Sequence, residues 1–531
     1  MSERILVCVA WPYANGPLHL GHIAGSLLPP DIFARYWRMR GADVAMVSGS
    51  DMHGTPITVA AEQAGVTPEA LAAEMHAKHK AALAALGIHF DLFTSTATAN
   101  HREVVQEIFA GLEKNGYIAK DTMISPYDPK AKRFLPDRYV EGTCPHCQFA
   151  DARGDQCDNC GRTLDPQELI SPRSKLTQTP PEYRETEHFF LQLDKLQPHL
   201  ARWVENEDAQ KHGDWRASVD RFTRQWLAEG LKPRAITRDL TYGVPLPASA
   251  GVFPDKRIYV WFEAVVGYLS ATIELDPDGW RRFWDASEGA RHFYFLGKDN
   301  IPFHTIIWPG MLLGHNEREG RKFGTLRLPW DVPANEFLQF AGAKFSKSRG
   351  NAFYVLDLLS HFDDDQVRYY LTVNMPERGD TDWTWPDFVA KVNDELADTL
   401  GNYVNRVLTF TRANFDGAPQ GVPSGLEGPV AERLAAATQH IESVRLKDAL
   451  REVMQLARLG NQRFNDLKPW DLVKQGKKQE AADAILWHLG LIKTLSVALQ
   501  PFLPTLSFLS GFANSTFISA DTVSSLQPSC D

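Results

Sequence analysis

The chain has 531 residues, too many for a single growing core, so two or three domains are expected. Apolar residues make up 44% and charged residues 23%, the composition of a soluble globular protein. The net charge of −10 argues against indiscriminate nucleic-acid binding, though a local groove of Lys and Arg remains compatible with it.

In chain order, residues 4–11 form an apolar run that Pro12 breaks, which reads as a buried strand and not as a signal peptide. A Gly/His-rich turn and a helix follow, and residues 43–49 predict a second strand. Thr67-Pro68-Glu69 opens an alanine-rich helix, with Thr67 as cap and proline in the first turn, running to about Gly87. His101 to Asn115 predicts another helix. Strands alternating with helices imply a parallel sheet and an α/β fold.

From Tyr117 the pattern changes. Prolines, glycines and cysteine pairs appear, with no long helix before about residue 190, as expected of an insertion. Strand-like runs return at Arg257–Phe262 and His292–Leu296. From Trp385 the apolar spacing is almost wholly helical. The stretch Ala484–Phe512 is interrupted by His488, Lys493, Gln500, Pro501 and Pro504, so it reads as a buried helix pair and not as a membrane span. The predicted division is therefore 1–116 and 230–330 for the two halves of the α/β domain, 117–229 for the insertion, 331–384 for a linker region, 385–512 for a helical bundle, and 513–531 for a disordered tail.

Two segments carry phosphate chemistry. Pro12 to His22 joins the first strand to its helix, where free N–H groups and the helix dipole favour an anion. His19 and His22, three apart, share one helix face and can donate to oxyanions at phosphorus, and Gly21 between them lets a base or ribose approach the backbone. A metal pair or surface histidines are the alternatives. The second segment, Lys344-Phe345-Ser346-Lys347-Ser348-Arg349-Gly350, suits a mobile loop closing over a polyphosphate, each lysine a point charge. A solvated basic loop is the alternative.

The six cysteines include four in a cluster. Cys144-x-x-Cys147 and Cys157-x-x-Cys160 are two turns that can place four thiolates tetrahedrally around one structural zinc. Disulfides or free thiols are the alternative.

Taken together, His19-Leu20-Gly21-His22 and Lys344–Ser348 resemble the two signatures of class I aminoacyl-tRNA synthetases, in the expected order and about 320 residues apart. The wider match, over nearly the whole chain, resembles the methionyl-tRNA synthetase family: Ala10–Gly16, Asp51–Ile57, Leu135–Arg138 before the knuckle, Tyr259–Phe262 and Gly297–Asp299. The resemblance implies a Rossmann-type catalytic domain split by a zinc-bearing insertion and followed by an anticodon-binding helical bundle. It implies methionine activation with Mg-bound ATP and transfer to the 3′ end of tRNA(Met), initiator included, by a cytoplasmic monomer.

The residue roles it implies are these. His19, His22, Lys344 and Lys347 are catalytic. Gly21, Asp299, Lys344, Ser346 and Lys347 bind ATP. Asp51 pairs with the substrate ammonium, and Ala10, Trp11, Tyr13, Trp261, Ala264, Tyr268 and His304 line the side-chain pocket. Asn405 and Trp470 contact the anticodon, and Arg406 is expected to serve in place of a family arginine whose position Thr409 occupies. The chain departs from the family pattern at Trp11 (commonly leucine), at Glu263-Ala264-Val265-Val266 (commonly Asp-Ala-Pro-Ile), at Asn300 (commonly isoleucine) and at Thr409 (an arginine). The rivals are another class I ligase, such as a cysteine-specific one with zinc in its amino-acid pocket, and a non-catalytic RNA-binding paralogue.

Overall fold

A computed structural model gives the fold; it describes residues 3–136, 139–154, 157, 164–317, 321–340, the backbone of 343–344, and 353–506. Five parallel strands form the central sheet, in the order Ala334–Asn335, Arg291–Gly297, Arg4–Val9, Asp43–Ser50, Leu92–Ser95. The expected α/β class is what the chain adopts. Ile5 to Val9 is buried without interruption, because helices cover both faces of a parallel sheet. Alternate residues feed two different cores. Ile5, Val7, Val9, Met46, Phe293 and Phe295 face a cluster that runs on into the C-terminal helices. Leu6, Cys8, Val47, Tyr294 and Leu296 face the other side, where the helix Val260–Leu275 covers the sheet.

The order of strands fixes where a site can form. The chain builds outward from Arg4–Val9 in one direction and returns to its other flank with Arg291–Gly297. A crevice opens at the carboxyl ends of those two strands, the topological switch point where α/β sheets bind ligands.

Several local expectations hold. Thr67 caps the helix Pro68–Ala85, its hydroxyl accepting from the Ala70 amide at 3.2 Å. The helix expected at His101 runs from Ala99 to Lys114. The strand expected across Arg257–Phe262 is corrected. It ends at Ile258 in a short antiparallel pair with Thr237–Asp239, and Val260 begins a sixteen-residue helix to Leu275. The β-favouring run Tyr-Val-Trp-Phe is overridden because that helix is buried on almost every side.

Within 117–229 the sequence reading found no strands, yet Ile118–Asp128 and Glu182–Leu191 form a ten-pair antiparallel ribbon. Its half-exposed, polar residues and Pro126 hide the alternation. A three-stranded sheet of Val140–Thr143, Ala152–Arg153 and Ile170–Ser174 sits beyond it. At the C-terminus, the expected helix pair is a single helix, Lys478–Leu499. It is long and apolar enough to cross a membrane by composition. Here it packs inside the bundle, with buried His488 bonded through Nδ1 to the Tyr403 hydroxyl at 2.9 Å. Residues 507–531, including the expected tail, lie outside the described residues.

Candidate active site

The crevice is a cavity of about 320 Å³, and its walls follow from the sheet. Ala10 to Tyr13 leave the end of the first strand, Gly297 to Asn300 leave the end of its neighbour, and His19, Gly21, His22, Gly25 and Ser26 come from the helix that follows. Glu336, Phe337 and Leu338 close the remaining side.

His19 is the N-cap of that helix. Its Nδ1 accepts from the Gly21 amide at 3.1 Å, and His22 Nδ1 accepts from the His19 amide at 3.2 Å, a capping box built from two imidazoles. In both rings Nδ1 is an acceptor, so Nε2 carries the hydrogen of each neutral ring. The rings stack at 3.7 Å between centroids. Beyond His22 the helix widens into a π turn, Ile23–Leu27. Pro29 and Pro30 have no amide hydrogen to give and their rings collide with carbonyls four residues back, which an α turn cannot accommodate. A second π turn, Phe303–Ile307, precedes Pro309 in the same way.

The approach to His19 is pinned from below. His79 Nε2 donates to the Gly16 carbonyl at 2.8 Å, and His79 Nδ1 meets the Ser50 hydroxyl at 2.9 Å. His19 also pairs with Tyr354, and the Leu20 amide reaches the Phe353 carbonyl, so the segment leaving the lysine-rich loop lies against the first motif. The side chain of Lys344 and the whole of Ser346 and Lys347 lie outside the described residues.

Asp51 sits beneath Tyr13, the two segments bridged by Ala14 N to Asp51 O and Asp51 N to Pro12 O, both 2.8 Å. Its carboxyl is buried, and burial, then the nearby Glu263 charge, holds its pKa well above the usual carboxylate range. Glu263 is fully buried. One oxygen meets His53 Nδ1 at 3.0 Å, and the other has no hydrogen-bond partner among the described residues. Burial alone would lower the His53 pKa, but the Glu263 carboxylate outweighs it and the net shift is upward. The sequence reading registered Glu263 only as a departure and did not single out His53. Their pairing spans 210 residues and leaves no local signal.

The side-chain pocket candidates divide into two groups. Trp11 lines the cleft and reaches inward to Tyr268, 6.4 Å between ring centroids. Gly267 makes the slot for that indole: a Cβ there would lie 2.7 Å from Trp11 Cζ2. Tyr268 donates its hydroxyl to His304 Nε2 at 2.7 Å, and His304 Nδ1 donates to the Asn300 carbonyl at 2.9 Å. Burial lowers the His304 pKa to about 4, so the ring is neutral and can accept at Nε2. Trp261 is more than a third exposed and lies tilted against Phe303, 4.7 Å between ring centroids. It lines an adjoining groove with Tyr259 and Arg238, whose guanidinium lies 3.8 Å from the Tyr259 ring centre. Ala264 is half-buried on the same helix. Asp299 is an exposed wall of the cleft, which fits a polar ligand at its mouth.

The knuckle lies away from this cleft, and none of the cavity-lining residues is a cysteine. Cys144, Cys147 and Cys157 bring their sulfurs within 4.8 Å of one another, Cys147 and Cys157 at 3.6 Å. Zinc–thiolate bonds of about 2.3 Å set tetrahedral sulfurs roughly 3.8 Å apart, so the three thiols fit zinc. Cys160 lies outside the described residues.

In the bundle, Asn405 is exposed and Arg406 donates to Asn465 Oδ1 at 2.7 Å while lying 4.9 Å from the Phe464 ring centre. Trp470 is half-buried against the same Phe464, 5.7 Å between centroids. Arg406 and Trp470 thus flank one buried phenylalanine.

Comparison with known proteins agrees with this arrangement. Residues 5–408 match the family described as tRNA synthetases class I (M), and residues 417–513 match the anticodon binding domain of methionyl tRNA ligase. A methionine–tRNA ligase of Roseiflexus castenholzii is 50% identical over 520 residues, covering 95% of this chain and 86% of that one. One from Dehalococcoides mccartyi is 49% identical over 515 residues, covering 95% and 90%. Among solved structures, Mycobacterium tuberculosis methionyl-tRNA synthetase in complex with methionyl-adenylate superposes with a TM-score of 0.75 at 26% identity, over 96% of this chain and 92% of that one.

Proposed function

The chain belongs to the methionyl-tRNA synthetases of class I and is an ATP-dependent methionine–tRNA ligase, and on that premise we propose how its own residues divide the reaction. The methionine carboxylate attacks the α-phosphorus of ATP and pyrophosphate leaves. The ribose hydroxyl of the tRNA terminal adenosine then attacks the activated carbonyl and AMP leaves. Positioning and charge stabilisation supply the rate, with no covalent enzyme intermediate.

The observation that carries the reading is the stacked His19–His22 pair, set in one cleft with Trp11, Tyr13 and Asp299 at the sheet's switch point. With Nδ1 of each ring accepting from a backbone amide, Nε2 is the ring position that can donate to phosphate oxygens. Lys344 and Lys347 neutralise charge on the departing pyrophosphate, and Ser346 supports that loop. Gly21 and Asp299 hold the nucleoside. Magnesium accompanies ATP and shields its phosphates. Asp51 receives the methionine ammonium. Ala10, Trp11, Tyr13, Trp261, Ala264, Tyr268 and His304 surround the thioether, where aromatic rings contact polarizable sulfur favourably. Cys144, Cys147, Cys157 and Cys160 hold one structural zinc, whose four-ligand shell leaves no position for substrate.

Asn405, Arg406 and Trp470 read the anticodon of tRNA(Met), initiator included. The enzyme works as a monomer in the cytoplasm. The helix with membrane-like composition supports that placement, since its apolar residues are spent inside the bundle. The deciding experiment is methionine-dependent ATP–pyrophosphate exchange in wild type and in Lys347→Ala. Loss of one transition-state contact should slow exchange by roughly 3 kcal/mol equivalent while methionine still binds. Exchange with another amino acid, or an unimpaired variant, overturns the respective assignment.

A further inference from the structure

We propose that Arg216 is a positioning residue that joins the anticodon-reading helices to the His19–His22 turn; this rests on the ligase reading above. Arg216 precedes the helix Ala217–Glu229 and lies in neither motif. Its guanidinium nonetheless gathers three distant segments through four acceptors. Nη1 donates to the Ala334 carbonyl and to Asn335 Oδ1, both at 2.7 Å, and more weakly to the Glu377 carbonyl at 3.4 Å. Nη2 donates to the Val444 carbonyl at 2.9 Å.

Each acceptor leads somewhere. Asn335 is buried at the edge of the central sheet, and its Nδ2 donates to the Ala24 carbonyl at 3.1 Å, inside the π turn directly after His22. Glu377, also buried, accepts at Oε1 from the Leu446 and Lys447 amides at 2.6 and 3.1 Å. It therefore caps the helix Leu446–Leu467 from outside that helix. Val444 sits in the turn before the helix, in a left-handed conformation with φ of +50°. The far end of the same helix carries Asn461, Phe464 and Asn465, which hold Arg406 and pack on Trp470. A continuous set of hydrogen bonds thus runs from the RNA-facing end of one rigid helix to the backbone beside the catalytic histidines. A displacement of that helix must be taken up at Val444 and Glu377, and Arg216 passes it to Asn335.

Planar geometry explains why arginine serves here. A guanidinium presents several donors in fixed directions, whereas an ammonium is a single point and cannot satisfy acceptors on opposite sides at once. Arg216→Lys should keep the charge and the fold while breaking the connection. Asn335 keeps its own bond to Ala24, so the resting turn stays formed.

The test compares wild type, Arg216→Lys, Trp470→Ala and the double variant. Four quantities are measured: pyrophosphate exchange, melting temperature, and aminoacylation kcat on tRNA(Met) with its native anticodon and with a replaced one. Arg216→Lys is expected to leave exchange within about threefold of wild type. The ratio of kcat between the two tRNAs should shrink about tenfold, within the usual range of coupling between sites. The double variant should lose no more discrimination than the worse single one, because both lie on one route. Arg216→Lys with unchanged discrimination overturns the proposal. So does a fall in exchange and in both aminoacylation rates by one common factor with a lowered melting temperature, the mark of a purely structural residue. Absence of methionine-dependent exchange in the wild type would instead remove the ligase reading itself.

Discussion

The surroundings of Asp51 disfavour its ionised form, and that has a measurable sign. Its pKa in the fold is raised by burial and by the Glu263 charge, so the folded state binds its proton more tightly than the unfolded chain does. The stability associated with that proton is present at low pH and is lost as pH rises through the folded pKa. Asp51→Asn, which has no proton to lose, should therefore melt higher than wild type at neutral pH and equal to it below the usual carboxylate range. Methionine activation should collapse in the same variant, since the ammonium loses its partner. Thermal unfolding at the two pH values, with exchange kinetics, checks both halves; a variant less stable at neutral pH contradicts the reading. The role implied for Asp51 came from a motif in the sequence. Its setting did not, because Glu263 and Tyr242 come to the adjacent His53 from distant segments. The same is true of Tyr268. Its hydroxyl hydrogen is given to His304 Nε2, a partner 36 residues away.

The two π turns show where element-level reading succeeds and stops. The strand, the Gly/His turn and the helix were all legible from composition and period. The widening at Ile23–Leu27 was not, because the prolines that force it also read as ordinary first-turn prolines. That widening leaves Gly25 facing the cleft, with no atom within 4 Å of where its Cβ would be. Gly25→Ala should thus leave the melting temperature unchanged or slightly raised, since alanine favours a helix by up to ~1 kcal/mol over glycine. The KM for ATP should rise about tenfold, as one misplaced contact of ~1.4 kcal/mol would give. Unchanged ATP kinetics would move the nucleotide away from this turn. The Tyr259–Phe262 run failed for the opposite reason: its local β preference is real, but burial all round the helix decides. For the knuckle, spacing alone pointed to zinc, and the three described sulfurs converge as that requires. Protein purified without added metal should contain one zinc per chain, and stripping it should unfold the small sheet around Val140–Thr143 while the parallel sheet persists. Metal content near zero, with freely titrating thiols, rules this out.

Across the whole molecule, the C-terminal helices are not hung from the catalytic domain by a linker alone. One face of the parallel sheet and the bundle share a continuous apolar cluster, from Ile5 and Phe293 through Tyr369 to Leu491. Fully buried Arg368 pins the junction, paired with Asp31 at 2.8 Å and donating to the Phe502, Leu86 and Pro501 carbonyls. Breaking such a buried pair costs several kcal/mol, so the two parts move as neighbours with a fixed contact. The sequence showed a helical region and named Trp470. It could not show whether that indole packs or reads RNA, and in the fold it packs on Phe464. One side rests on Phe464, and the residue is only partly buried. Stacking of one base on an aromatic platform is worth about 1–3 kcal/mol. Trp470→Ala should accordingly raise the tRNA concentration needed for aminoacylation at least about tenfold, and lower the melting temperature modestly through lost packing. Pyrophosphate exchange should stay within about twofold, because no tRNA takes part in it and Trp470 is not among the residues lining the cleft. Both reactions and thermal stability measured on one preparation decide the matter. If exchange and aminoacylation fall together in step with stability, Trp470 is a packing residue only, and RNA reading rests on Asn405 and Arg406.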